Sequence, residues 1–152
     1  TPALQLDSDG LKFNGDTAAA NALDDYEEGT WTPSFAEGSV TLQPNSAFYV
    51  KIGKLVHAGC RVADPTNTTS SGVVTMNGLP FTVNASYYNN NIGSVWGNLL
   101  GTEGSFYIYS GSSATSCSFY YGAGGSGAYN PVRYSNLSST SNMIMRFHYM
   151  ST

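Results

Sequence analysis

Histidine, cysteine and carboxylate side chains carry most protein chemistry, and this 152-residue sequence holds two, two and ten of them. His57 stands near Arg61, and His148 alternates with Arg146. A nucleophilic triad would need a serine bonded to one of these imidazoles, but with 20 serines in the chain such proximity carries no information. No Gly-x-Ser-x-Gly elbow occurs in a strand-turn-helix setting. Cys60 and Cys117 lie in apolar-alternating stretches and match no zinc motif, so they are expected as reduced core thiols, with one disulfide in an oxidising compartment as the alternative. Asp24, Asp25, Glu27 and Glu28 are sequence neighbours instead of carboxylates facing one another across a cleft, which reads as a solvated charge cluster. Asp7-Ser8-Asp9-Gly10 resembles the start of a calcium loop, but its glycine is fourth instead of sixth and no glutamate stands twelfth; it is a turn. Gly122-Ala123-Gly124-Gly125-Ser126-Gly127 is followed by no lysine and no predicted helix, so it is a loop and not a phosphate cradle. The expectation is a chain without catalysis, metal or cofactor.

The aromatic residues point elsewhere. Tyr87 and Tyr88 precede Asn89 and Asn90; Tyr107 and Tyr109 alternate with Phe106 and Ile108; Tyr120 opposes Phe119; Trp96 and Tyr129 lie near loops. Tyrosine presents a flat face for sugar C–H groups and a hydroxyl for hydrogen bonding, at little entropic cost. Asparagine and serine beside it can read sugar hydroxyls. Tyr87, Tyr88, Asn89, Asn90, Trp96, Tyr107, Tyr109, Tyr120 and Tyr129 are therefore candidates for contact with a glycan or protein receptor. The same rings could instead pack between subunits or line an ordinary strand surface.

Charged residues make up 11% of the chain, while Ser, Thr, Asn and Gly fill 64 of the 152 positions. This excludes a coiled coil or a charged bundle. A formal charge of −4 offers no basic field for nucleic acid. No apolar run approaches the roughly 20 residues that cross a bilayer, so no membrane insertion is expected.

Residues 1–28 hold seven of the ten acids and a single base, Lys12, and read as a linker segment. Within it, Leu4-Gln5-Leu6 and Leu11-Lys12-Phe13 flank a hairpin turn, and residues 17–23 favour a short helix capped by Asp16 or Thr17. From Gly29 the period is two, and residues 29–152 read as one β-domain. Strands are expected at 30–35, 39–43, 47–52, 54–63, 72–76, 81–85, 93–99, 105–110, 116–121 and 142–150. Their number and spacing imply an all-β antiparallel sandwich of jelly-roll type. Alternation assigns Phe48, Val50 and Ile52 to the core against Tyr49 and Lys51, and Val56, Ala58, Cys60 and Val62 against Leu55, His57 and Arg61. The last strand is apolar on both faces, as if buried twice or meeting another copy. Met143, Met145, His148 and Met150, together with Tyr26, are the candidates for an interface between copies.

Three ordered motifs carry a family likeness. Asn21-Ala22-Leu23-Asp24-Asp25-Tyr26-Glu27-Glu28-Gly29-Thr30-Trp31-Thr32-Pro33 resembles a signature that opens the C-terminal β-domain of bacteriophage tail fibre and tailspike proteins. Phe48-Tyr49-Val50-Lys51-Ile52-Gly53-Lys54-Leu55-Val56 is similar to that family's strand pair, and Met76-Asn77-Gly78-Leu79-Pro80-Phe81 to its Gly-Leu-Pro-Phe turn. Gly10-Leu11-Lys12-Phe13 fits the short β-segment before it, so the likeness spans residues 10–83. The resemblance implies a virion protein assembled in the host cytoplasm: the distal part of a homotrimeric fibre or spike, joined to the rest of the fibre and meeting a host-surface glycan or protein. It implies equally a trimerisation and folding cap for a fibre whose recognition or depolymerase activity lies upstream.

Overall fold

The computed structural model describes residues 3–19, 22–23, 25–86, 91–98, 105–122 and 129–152, with the backbone alone for Asn91 and Ile92. These residues form an all-antiparallel β protein. Strands β1 (Leu4–Asp7) and β2 (Gly10–Phe13) make the expected hairpin, closed by the pair Asp7 and Gly10. Next come β3 (Tyr26–Gly29), β4 (Ser34–Phe35), β5 (Thr41–Leu42), β6 (Phe48–Ile52), β7 (Leu55–Ala63) and β8 (Thr75–Asn77). The second half supplies β9 (Asn91–Gly97), β10 (Phe106–Tyr109), β11 (Ser116–Gly122), β12 (Tyr129–Pro131) and β13 (Asn142–Met150). One sheet runs β3-β6-β7-β13-β9-β10-β11-β8-β4, with β12 beside β11 and β5 beside β7.

This sheet curls over its own inner face. The Cys60 Sγ of β7 lies 3.9 Å from the Met76 Sδ of β8, although four strands separate β7 from β8 along the hydrogen-bonded path. A register shift between Ile108 and Tyr109 is one place where the sheet bends. Val56, Ala58, Cys60 and Val62 of β7 face Met76, Ile108, Cys117 and Phe119 in one apolar cluster with Met143, Met145, Phe147 and Tyr149 of β13. Trp31 caps it edge-on against Phe147, centroids 5.8 Å apart, and donates its indole N–H to the Gly59 carbonyl at 3.2 Å. The buried tyrosines keep their hydroxyls bonded: Tyr149 donates to the Phe81 carbonyl and accepts the Phe81 N–H, and Tyr134 joins Glu37 to Thr75. No buried side-chain polar atom among the described residues lacks a partner.

Several expectations need correction. Residues 17–23 form no α-helix where they are described: Asp16 Oδ1 accepts the Ala18 N–H, and Leu23 pairs with Leu11 through two backbone bonds, extending the hairpin. About two turns of helix cannot repay the cost of nucleation, and the bridge to β2 satisfies the backbone instead. The main sheet also begins at β3, inside the segment read as a linker.

The faces of β6 are the reverse of those expected. Tyr49 and Lys51 pair with the core-facing Ala58 and Val56, so they point inward, while Ile52 is exposed. Lys51 is tolerated there because its ammonium lies over the Phe81 ring, 5.3 Å from the centroid, and ends on Asp25 and Glu27. The hydrogen bond to Asp25 holds its pKa above the usual lysine range. Asp25 and Glu27, two of the carboxylates that read as a solvated cluster, thus neutralise a buried cation.

Both cysteines are reduced and buried. Burial pushes the Cys60 thiol up to about 12, and Cys117 higher still. Burial also raises Tyr149 to about 12. A group whose folded pKa exceeds its unfolded value stabilises the fold below the unfolded pKa, and that stabilisation drains away as pH climbs toward the folded one. The melting temperature is therefore expected to hold up to about pH 8 and fall steadily above it, where unfolded thiols and then tyrosine ionise. Native protein at pH 8 should leave both thiols unalkylated by iodoacetamide, with two reacting in denaturant; rapid labelling of the native state would contradict the burial.

Candidate functional site

Alternation along the strands gives the curled sheet an outer face, and cross-strand register aligns its side chains in rows. One row runs Phe48, Gly59, Arg146, Ser94, Tyr107, Tyr120 and Pro131, from β6 to β12. A second joins Arg61, Ile144 and Trp96. A third joins Val50, His57 and His148. A fourth joins Tyr26, Ile52, Leu55 and Met150.

The aromatic candidates converge on one end of this face. Tyr107 meets Tyr129 edge-on at 5.6 Å, and Tyr109 meets Tyr120 edge-on at 5.8 Å. Trp96 lies on the strand beside Tyr107 and one diagonal step away, since Tyr107 pairs with Ser94. Diagonal neighbours of this kind stay within reach of aromatic side chains. Edge-to-face packing fixes the tyrosine rings in two pairs while leaving area open to solvent, with Tyr129 69% exposed; Trp96 on the neighbouring strand is 75% exposed. These five residues, distributed over β9 to β12, therefore make one platform. Tyr87, Tyr88, Asn89 and Asn90 lie outside the described residues.

Trp96 also walls a shallow cleft of about 530 Å³ with Arg61, Gly97, Asn98, Thr140 and Asn142. Its floor is a locked amide network. Asn98 accepts the Asn142 N–H at 2.6 Å and donates to the Thr140 carbonyl at 3.3 Å, while Arg61 Nε donates to Asn142 Oδ1 at 3.2 Å. Glycine is required at position 97, because a side chain there would overlap the Asn142 carbonyl oxygen. Glycine at 59 has the same logic: it lets the Arg146 guanidinium lie across β7 onto the Phe48 ring, 5.0 Å from its centroid.

The interface candidates divide. Met143 and Met145 are wholly buried in the chain's own core, so neither can meet another copy. Their partners Val62 and Cys60 on β7 point inward, which fixes the face that β13 turns to the core. Tyr26, His148 and Met150 do lie on the outer face, and Tyr26 and Met150 share the row with Ile52 and Leu55. Three members of that row are substantially exposed: Tyr26, Ile52 and Leu55.

Alternation had turned Leu55 and Arg61 outward, but not Ile52, and composition had flagged none of Ile52, Leu55, Arg61, Asn98, Thr140 and Asn142 as site residues. Their significance depends on which strands lie side by side, and pairing between β9 and β13 or β7 and β13 leaves no local trace. The two histidines face each other directly across β7 and β13, with Phe48 beside His57 at 6.0 Å. Among the described residues, no three side chains of the metal-binding types come together. No family model matches the chain, and no curated protein or solved structure is significantly similar to it.

Proposed function

We propose that this chain is the distal domain of a bacteriophage tail fibre or tailspike, carried on the virion, which binds a host-surface glycan non-catalytically as a homotrimer. The observation that carries the binding role is the aromatic platform: Trp96, Tyr107, Tyr109, Tyr120 and Tyr129 gathered on one outer face. Rigid rings flanked by amides and hydroxyls suit sugars, whose C–H faces stack and whose hydroxyls need neutral hydrogen-bonding partners. The phage assignment rests on the three motifs over residues 10–83. A glycan array probed with the intact protein, followed by binding to cells that display the preferred glycan, tests the reading. Attachment to a defined glycan class is expected, and an array without hits would contradict it.

A second reading, that the domain is a trimerisation and folding cap, is favoured by the apolar row Tyr26, Ile52, Leu55 and Met150. Apolar side chains aligned across four adjacent strands, three of them substantially exposed, suit burial against another copy. Light scattering is expected to give three times 16.1 kDa for the wild type and a single chain for the double variant Ile52→Asp with Leu55→Asp. A trimer that survives both charges would place the interface elsewhere. Deleting residues 29–152 from a full fibre separates the roles: soluble fibres that fail to bind favour recognition, and misassembled fibres favour the cap.

A further inference from the structure

We infer that the cleft between Trp96 and Arg61 takes a carboxylated sugar, such as a uronic or sialic acid residue of a surface glycan. This rests on the glycan-binding reading above and names the ligand chemistry at one end of the platform.

Beyond Asp64 the sequence contains one acid, Glu103, against Arg133 and Arg146. Strands β7, β9, β10, β11, β12 and β13 carry neither aspartate nor glutamate. The outer face nevertheless presents Arg61 and Arg146, both exposed. Among the described residues neither arginine is paired with a carboxylate; the ion pairs there belong to Lys12 and Lys51. Arg146 has another task, lying on Phe48 and donating to the Met145 carbonyl at 2.8 Å. Among the described residues the Arg61 side chain has one protein partner, Asn142, and that bond uses Nε alone.

Geometry then gives the charge a direction. The Nε bond steadies the guanidinium in the cleft and leaves its Nη groups without a protein partner among the described residues. Two parallel N–H groups are the fork that a carboxylate accepts with both oxygens. Ile144 lies between Arg61 and Trp96 in the same row, so the cation and the indole stand on strands two apart, on either side of β13. In a sheet that spacing is about 9 to 10 Å, comparable with a pyranose ring and its exocyclic carboxylate together. The indole supplies the stacking surface. The Asn142 side-chain amide and the Thr140 hydroxyl offer donors and acceptors for ring hydroxyls at the rim. A neutral sugar would use the ring and the amides and leave the Arg61 fork to water. A sulfated or phosphorylated group would meet the same cation, so the test separates it.

The probes are oligosaccharides ending in glucuronate or N-acetylneuraminate, their carboxyl-reduced counterparts, and a sulfated counterpart, titrated by calorimetry against the intact protein at low salt. Carboxylated probes are expected to bind at least about tenfold tighter than the reduced ones. The preference should shrink to under about twofold in Arg61→Gln, recover in part in Arg61→Lys, and fall in the wild type at 1 M salt as screening would require. Folding of each variant is checked by its melting temperature, and salt dependence in the wild type tests the charge without any substitution. Equal binding of carboxylated and reduced probes would overturn this inference while leaving the aromatic platform intact. So would a preference undiminished in folded Arg61→Gln, or tighter binding of the sulfated probe. Binding of none of the probes, together with an empty glycan array, would overturn the platform as well.

Discussion

Trp96→Ala is expected to weaken attachment to the host glycan by about 30-fold or more while leaving the melting temperature within about 1 °C of the wild type. The two halves of this expectation have separate causes. Removing a tryptophan at the centre of a binding surface typically costs at least about 2 kcal/mol, and each 1.4 kcal/mol is a factor of ten in affinity. Stability should not move, because the Trp96 side chain is 75% exposed and packs into no core cluster. Substitutions of Tyr107 and Tyr129 should each cost less, and should not add independently, because the two rings pack edge to face and removing one frees the other. Cell-binding assays and thermal melts on the same preparations check both halves. A variant that binds normally would remove Trp96 from the site, and one that binds poorly because it melts early would make Trp96 structural.

Trp31→Ala is expected to have the opposite signature, a large loss of stability without a direct contact at the platform. Trp31 is 7% exposed, meets Phe147 edge-on and bonds the Gly59 carbonyl across the core. Truncating a buried aromatic of this size costs about 3–5 kcal/mol through lost transfer energy and the cavity left behind. Against a typical total of about 5–15 kcal/mol this threatens the fold outright, and a surviving variant should melt about 10 °C lower or more. Chemical denaturation should show a lower midpoint at an unchanged slope. A near-normal melting temperature would mean that the segment between β3 and β4 is not part of the core.

What could be read in the sequence follows the physics of period two. Trp31, Pro33 and Phe35 alternate with hydroxyl residues and are buried as the pattern requires, even though only Ser34–Phe35 is hydrogen-bonded as strand. The inward set of β7 and the outward set at Arg61 and His57 were legible for the same reason. Strand β6 misled because its inner face carries a tyrosine, whose ring packs edge-on against Phe81, and a lysine, whose ammonium is neutralised by carboxylates distant in sequence. Strand β13 looked apolar on both faces because methionine and isoleucine say nothing of depth. Only its pairing with β7 and β9 places Met143 and Met145 inside and Ile144 toward Trp96. The aromatic residues of the platform were individually visible, but their convergence was not, since it depends on the register of β9, β10, β11 and β12. The Arg61 cleft was invisible for the same reason: its residues come from three separate stretches joined by a glycine that permits close approach.

The chain's two tryptophans offer the most direct test of the binding face, because one is buried and the other open. Acrylamide quenching of the free protein should reach roughly one of two emitters, the solvent-exposed Trp96, and leave the blue-shifted Trp31 emission as an internal standard. Titration with neutral and carboxylated oligosaccharides to on the order of 10 mM, beyond a weak millimolar affinity, is expected to shield the accessible emitter and shift its emission to the blue for at least one sugar class. Quenching that stays unchanged across the whole series, or glycan binding that leaves Trp96 as accessible as before, would contradict recognition through the outer face of the sheet.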